Sequence, residues 1–103
     1  MKIIRDLSEY IEDEIDDSCK YAKLALEWKD KRRNLADVFF MLSQEELKHM
    51  QILHNEVVRL IEEYRNTNGD PPESMQAVYD YLHEKQIDHA NEAKAYQMMY
   101  KES

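Results

Sequence analysis

The sequence predicts an all-α protein, built as an antiparallel bundle of three helices. Apolar residues recur at helical spacing along most of the 103 residues, and no segment alternates with the period of two that is typical of a strand. The only glycine and both prolines stand together in NTNGDPPES, residues 66–74. A second polar interruption, WKDKRRN at residues 28–34, leaves three long segments joined by short loops, which favour antiparallel neighbours.

The first two helices have signals for where they begin. We expect helix 1 over residues 6–29, because DLSE at its start has the spacing of a capping box. We expect helix 2 over residues 32–66, with Asp30 or Asn34 as its N-cap.

The second loop and helix 3 have clearer signals. Gly69 can take the left-handed conformation that ends a helix. The following DPPE offers an N-cap, a proline at the first helical position and a glutamate at the third. Helix 3 is therefore expected over residues 71–101.

Composition limits the class of protein. The length of 103 residues indicates a single domain over 1–103, with a modest core. The net charge of −8 disfavours nucleic acid and anionic membranes as partners. The single cysteine, Cys19, cannot form an intramolecular disulfide, and no signal peptide or 18-residue apolar run is found. These features predict a soluble, cytoplasmic protein.

Two carboxylates and an imidazole fall on faces that the pattern predicts to be buried. Glu14 lies inside the apolar arc of helix 1, and Glu46 and His49 lie near the centre of the arc of helix 2. If the first hairpin turns near residues 31–32, all three lie at one level of the bundle. On helix 3, His89 and Glu92 are the nearest polar residues at that level, with weaker support.

Such a group of side chains calls for a counter-charge. A lone buried carboxylate costs several kcal/mol, and no Lys or Arg is central in these arcs. Carboxylate and imidazole ligands suit iron, manganese or zinc. Glu46 and His49 have the i, i+3 spacing of the inward Glu-x-x-His pair of di-iron carboxylate bundles. The opposing interpretation places Glu46 at the edge of the face, in water.

His54 and His83 lie off the main arcs, which predicts surface positions.

These residues give the chain a resemblance to the ferritin-like family over about residues 7–60. It is carried by Glu14 with Tyr21 seven residues later, by Glu46-x-x-His49, and by the block VFFMLSQEELKHMQIL. In length and motif spacing the chain is most similar to the encapsulated ferritins. The resemblance implies Glu14, Glu46 and His49 as iron ligands, with Tyr21 close to the metals.

The family's full unit has four helices, whereas this sequence has three. Two copies could each supply a half-site, which implies a homo-oligomer, dimer or higher, that completes a larger bundle. Alternatively, His89 and Glu92 of helix 3 complete a site within one chain. The resemblance also leaves open whether a protein shell encloses the molecule.

Two functions from different classes are therefore expected. The first is a ferroxidase-type oxidoreductase that binds iron, two ions in the complete site, with Mn or Zn as substitutes, and oxidises Fe(II) for iron handling or detoxification. The second is a non-enzymatic interaction or structural module on a ferritin-like scaffold with an incomplete metal site.

Overall fold

The computed structural model describes residues 1–102, which form three helices. They are α1 (Lys2–Trp28), α2 (Arg33–Asn68) and α3 (Glu73–Glu102). Within residues 1–102 there is no strand. The expectation of an all-α bundle of three helices is confirmed.

Two helices begin away from their expected residues. Helix α1 begins at Lys2, four residues earlier than expected, and no side chain caps it. The DLSE stretch therefore lies inside the helix, because Ile4 (1% exposed) and Ser8 (7% exposed) are needed for packing. Helix α3 begins two residues late, at Glu73, and the carbonyl of Pro72 accepts the N–H of Gln76 at 3.0 Å.

Of the two signals expected at the ends of α2, the glycine at its C-terminus is present and the side-chain N-cap is not. Gly69 has φ of 79° and its N–H donates to the carbonyl of Arg65 at 2.9 Å, so the expected glycine ending of α2 is present. The expected cap of α2 is wrong. Its N-cap position is Arg32, and neither Asp30 nor Asn34 donates or accepts a capping hydrogen bond.

The chain runs up, down and up, with α1 as the central helix. Ile11 and Ile15 pack beside α2, while Ala25 and Ala36 lie together at the α1–α2 turn with Tyr100 from the end of α3. Each helix therefore runs antiparallel to the next one in the chain. The molecule is an elongated rod of 55 × 18 × 17 Å, about as long as α2 alone, with a radius of gyration of 16.5 Å. A compact domain of this length would have about 13 Å.

The core residues alternate between spacings of three and four, as in a coiled coil. On α1 they are Ile4, Ser8, Ile11, Ile15, Ser18, Ala22 and Ala25, and Cys19 is buried beside them. On α2 the same spacing joins the buried or half-buried residues Ala36, Phe40, Ser43, Leu47, Met50, His54, Val57 and Ile61. Small residues at the crossing let the two backbones approach closely.

A polar layer fixes the register of α1 against α2. Ser18 Oγ donates to the carbonyl of Ser43 at 2.8 Å, and Ser43 Oγ donates to the carbonyl of Ser18 at 2.7 Å. Gln97 Nε2 of α3 donates to Ser43 Oγ at 2.8 Å. Both serines are fully buried, so a shift of either helix would leave buried polar groups without partners.

Within residues 1–102, no helix is both long enough and apolar enough to cross a membrane.

Candidate metal centre

Three of the expected site residues lie together between α1 and α2. Glu14, Glu46 and His49 each offer one ligand atom, and these atoms lie within 4.8 Å of one another. His49 Nδ1 is 3.5 Å from Glu14 Oε2 and 3.9 Å from Glu46 Oε2. No other group of three potential ligands meets this criterion among residues 1–102.

The register of the two helices accounts for this arrangement. The Ser18–Ser43 layer sets which residues face each other, and one turn further along α1 Glu14 comes level with Glu46. Glu46 and His49 are one turn apart on α2, so both side chains point to the same side. The site is thus positioned by rigid helices rather than by a loop.

The charges within this cluster are poorly balanced. Glu14 Oε2 is buried and has no hydrogen-bond partner. The pKa of Glu46 is raised from 4.5 to about 7, because its protonated form can donate a hydrogen bond to Glu14 and because burial and the negative charge of Glu14 disfavour its ionised form, although His49 lowers it. Near neutral pH, Glu46 is therefore partly protonated, and a bound cation would displace that proton.

The cluster is less buried than the sequence predicted. The side chain of Glu46 is 19% exposed and that of Glu14 27% exposed, but His49 is 55% exposed. They lie on the surface of α1 and α2 away from α3, which we call the α1–α2 face. Its residues are Tyr10, Glu14, Asp17, Tyr21, Leu42, Glu46, His49 and Leu53, and none of them is fully buried. Placing Glu46 and His49 at the centre of the buried arc of α2 was wrong, since Ser43 and Leu47 occupy that position.

The two candidate residues of α3 are on a different side of α1. His89 Nδ1 is 3.1 Å from Glu12 Oε2, and His89 Nε2 is 3.1 Å from Asp16 Oδ1. Residues 12 and 16 point about 160° away from Glu14 around the helix axis. Glu92 lines a surface cavity with Asp16 and His89. Helix α3 therefore does not bring His89 or Glu92 to the cluster.

Tyr21 lies two turns along α1 from Glu14, about 10 Å away along the axis. Its ring stacks on Phe39 of α2, with centroids 6.2 Å apart and an interplanar angle of 19°. It belongs to the α1–α2 face, on the side of the cluster that is nearer the α1–α2 turn.

The donor set fits a hard or borderline divalent cation. Two carboxylates and one imidazole are ligands that iron, manganese and zinc accept, and the buried Glu14 oxygen lacks a partner that a cation would supply. Three ligands also leave coordination positions open. One chain, however, offers only half of the residues that a di-iron bundle uses, which are four glutamates and two histidines.

Two groups of residues escaped the sequence reasoning. Glu12 and Asp16 were not among the expected site residues, although their i, i+4 spacing and their level opposite His89 could have revealed the contact. His54 was expected at the surface but is half-buried and stacks on His83, with centroids 5.0 Å apart.

No protein-family model, curated protein or solved structure matches the chain.

Proposed function

We propose that this protein is a ferritin-like iron-binding protein that oxidises Fe(II) at the cluster of Glu14, Glu46 and His49. The observation that carries the proposal is the buried, unpartnered Oε2 of Glu14 beside a second carboxylate and an imidazole. Such a group of acceptors is costly to bury without a counter-charge, and a divalent cation supplies it. The site residues would bind the metal with Glu14 and Glu46 as oxygen ligands and His49 as the nitrogen ligand.

We further propose that two copies share the site across the α1–α2 face. Di-iron bundles take one Glu from each of two helices and a Glu-x-x-His pair from each of two others. Glu14 with Glu46 and His49 is half of that set, so a two-fold axis near the cluster would supply the rest. His49 lies at the middle of the 36-residue α2, so two rods related by this axis would overlap over their full length.

Charge and exposed area support the second copy. The half of the rod at the α1–α2 turn, residues 19–42 and 94–102, carries 8 basic and 4 acidic residues, whereas the other half carries 6 and 18. In an antiparallel pair, each positive half would lie against the negative half of its partner. The chain also exposes 6889 Å², where a monomer of its mass typically exposes about 6,100 Å².

The chain's own residues would have separate tasks in the reaction. Glu46 holds a proton near neutral pH and releases it when a cation binds, so metal binding is favoured as the pH rises. Tyr10 and Leu53 on the α1–α2 face would exclude water once the second copy covers them. Each substrate Fe(II) gives one electron, so two irons and two protons convert O₂ to hydrogen peroxide, or hydrogen peroxide to two waters.

The test is the rate of Fe(II) oxidation in air, followed by the absorbance of Fe(III). We expect the wild-type protein to accelerate it, and Glu46→Ala and His49→Ala to reduce that acceleration by more than about tenfold. Glu45→Ala is the matched control, because Glu45 is the exposed neighbour on the same helix. If Glu46→Ala oxidises iron as fast as Glu45→Ala does, the proposed site is wrong.

A second function, an interaction module without catalysis, rests on the exposure of His49 and on the three-ligand cluster of one chain. In that case the α1–α2 face would bind a partner, and the carboxylates would have no metal. The same oxidation assay distinguishes the two functions, since a module would leave the rate of Fe(II) oxidation unchanged.

A further inference from the structure

A separate cavity lies where the three helices meet near the α2–α3 turn. Its volume is about 220 Å³. A protein cavity of about 150 Å³ can hold a benzene molecule. The cavity therefore has room for one ring with a small substituent, or for a short carbon chain.

The surface of this cavity is more apolar than polar, although more than half of its lining residues are polar. Its aliphatic lining residues are Ile4, Val57, Val58, Ile61 and Leu82. Among its polar side chains, His54 stacks on His83, and Gln86 is only 6% exposed. An apolar cavity with a few converging polar groups is the usual form of a small-molecule site.

Gln86 is the residue that points to a ligand. Its Nε2 is buried and has no hydrogen-bond partner. An unpaired buried donor costs about 1–3 kcal/mol. Gln86, His54 and His83 also line a neighbouring cavity of about 120 Å³, so the amide stands between two spaces. The torsion at the end of a glutamine side chain is soft, which lets Nε2 turn toward an acceptor in the larger one.

The charges around the cavity select a neutral ligand. Burial and the neighbouring His83 lower the pKa of His54, so this ring is uncharged at neutral pH. At the rim Arg65 donates to Gln76 at 3.0 Å, and Gln76 donates to Asp80 at 2.9 Å. The rim also holds the carboxylate of Glu62, so an anionic head group would meet more negative than positive charge.

We propose that this cavity binds a small neutral molecule with an apolar body and one carbonyl oxygen, which accepts a hydrogen bond from Gln86. The site does not depend on the metal cluster. Ser8 in its floor is six residues from Glu14, about 9 Å along α1. The ligand would add to the contacts that the His54–His83 stack and the Arg65–Gln76 hydrogen bond already make between α2 and α3.

Three probes of similar shape test the proposal by nuclear magnetic resonance on the full chain. They are acetophenone, which has a carbonyl, ethylbenzene, which has none, and benzoate, which is charged. We expect acetophenone to shift the side-chain amide signal of Gln86 and the ring signals of His54 and His83. Its affinity should exceed that of ethylbenzene by about threefold to tenfold, the range for one neutral hydrogen bond, and benzoate should bind most weakly.

The variant Gln86→Leu removes the donor while keeping a side chain of similar size. We expect it to lose the preference for acetophenone and to favour ethylbenzene, because a buried carbonyl without a donor is costly, while Gln44→Leu, the same change on α2 outside the cavity, keeps the preference for acetophenone. Equal affinity of the two probes for the wild-type protein would show an apolar void only and would overturn the proposal. Absence of shifts at Gln86 at millimolar acetophenone, as when a bound water satisfies the amide, would overturn it as well.

Discussion

The two sides of α1 each carry a histidine between two carboxylates, but the geometry differs. Toward α3, both ring nitrogens of His89 are 3.1 Å from carboxylate oxygens of Glu12 and Asp16. Toward α2, His49 is 3.5 and 3.9 Å from Glu14 and Glu46. His89 Nδ1 and Glu12 Oε2 form a hydrogen bond, whereas the distances from His49 to the two carboxylates are too long for one.

The difference distinguishes a structural contact between helices from a candidate metal centre. His89 is 24% exposed, and both of its ring nitrogens have carboxylate neighbours on α1. One oxygen of Glu12, Oε1, still lacks a partner, although its Oε2 is bonded. On the other side, the two carboxylates meet each other, and Glu14 Oε2 is buried without a hydrogen bond. Similar residue types thus connect α1 to α3 at His89, whereas at Glu14, Glu46 and His49 they form a cluster whose negative charge is not balanced.

The largest effect should come from adding metal. A cation that binds only the folded state stabilises it by about 2.7 kcal/mol when its free concentration is a hundredfold above its dissociation constant. Fe(II) without oxygen, or Mn(II) or Zn(II), should therefore raise the melting temperature of the metal-free protein. Glu46→Ala and His49→Ala should abolish most of that rise, whereas His89→Ala should keep it. An equal loss in His89→Ala would end the distinction between the two sides.

The next effect is the loss of the His89 contacts without metal. His89→Ala removes the hydrogen bond to the half-buried Glu12, which should lower the free energy of unfolding by about 1 kcal/mol at pH 6 in urea. His49→Ala is the comparison. It should change that free energy by less than about 0.5 kcal/mol, because His49 is exposed and forms no close hydrogen bond. Equal destabilisation by both variants would contradict the account.

A further effect should appear in the dependence of stability on pH. Because the pKa of Glu46 rises from 4.5 to about 7, the folded metal-free protein keeps a proton that the unfolded chain releases. This contribution is fully present below pH 4.5 and is lost as the pH rises through about 7. Glu46→Gln should therefore flatten a decline in stability over that range in thermal unfolding. A wild-type protein that becomes more stable over the same range relative to Glu46→Gln would show that the pKa is not raised.

The smallest effect is expected at outward-facing carboxylates. Glu45→Ala on α2 and Glu84→Ala on α3 change exposed residues, so each should alter the free energy of unfolding by less than about 0.5 kcal/mol. Neither should alter the metal-induced rise in melting temperature. A loss of that rise in Glu45→Ala would place the ligands on a different face of α2.

The sequence predicted the three helices and the grouping of Glu14, Glu46 and His49, because helical period and antiparallel register determine both. The prediction from the sequence overestimated the burial of Glu46 and His49, because α2 has two neighbouring rows of residues whose spacing alternates between three and four. One holds Ser43 and Leu47, and the other holds Leu42, Glu46 and His49. On a helical wheel, the centre of the apolar arc of α2 falls between these two rows of residues. The close contact of α1 and α2 at Ser18 and Ser43 determines which of the two rows is buried.

The helix starts failed for a related reason. Capping signals indicate only the local preference of a segment. Burying Ile4 in the bundle stabilises the fold more than a side-chain cap at the start of DLSE would. The pairing of His89 also depends on tertiary structure, because the α1–α3 register follows from how Tyr100 and Ala25 pack. Neither fact is a property of a single helix.

The central claim is that two copies share a metal site formed by Glu14, Glu46 and His49. Native mass spectrometry of protein loaded with Fe(II) without oxygen tests it most directly, because it reports chain number and metal number together. We expect a species of two chains with two irons, and no bound iron in Glu46→Ala while Glu45→Ala binds as the wild type does. A metal-free wild-type protein, or a Glu46→Ala protein with two irons for every two chains, would contradict the claim.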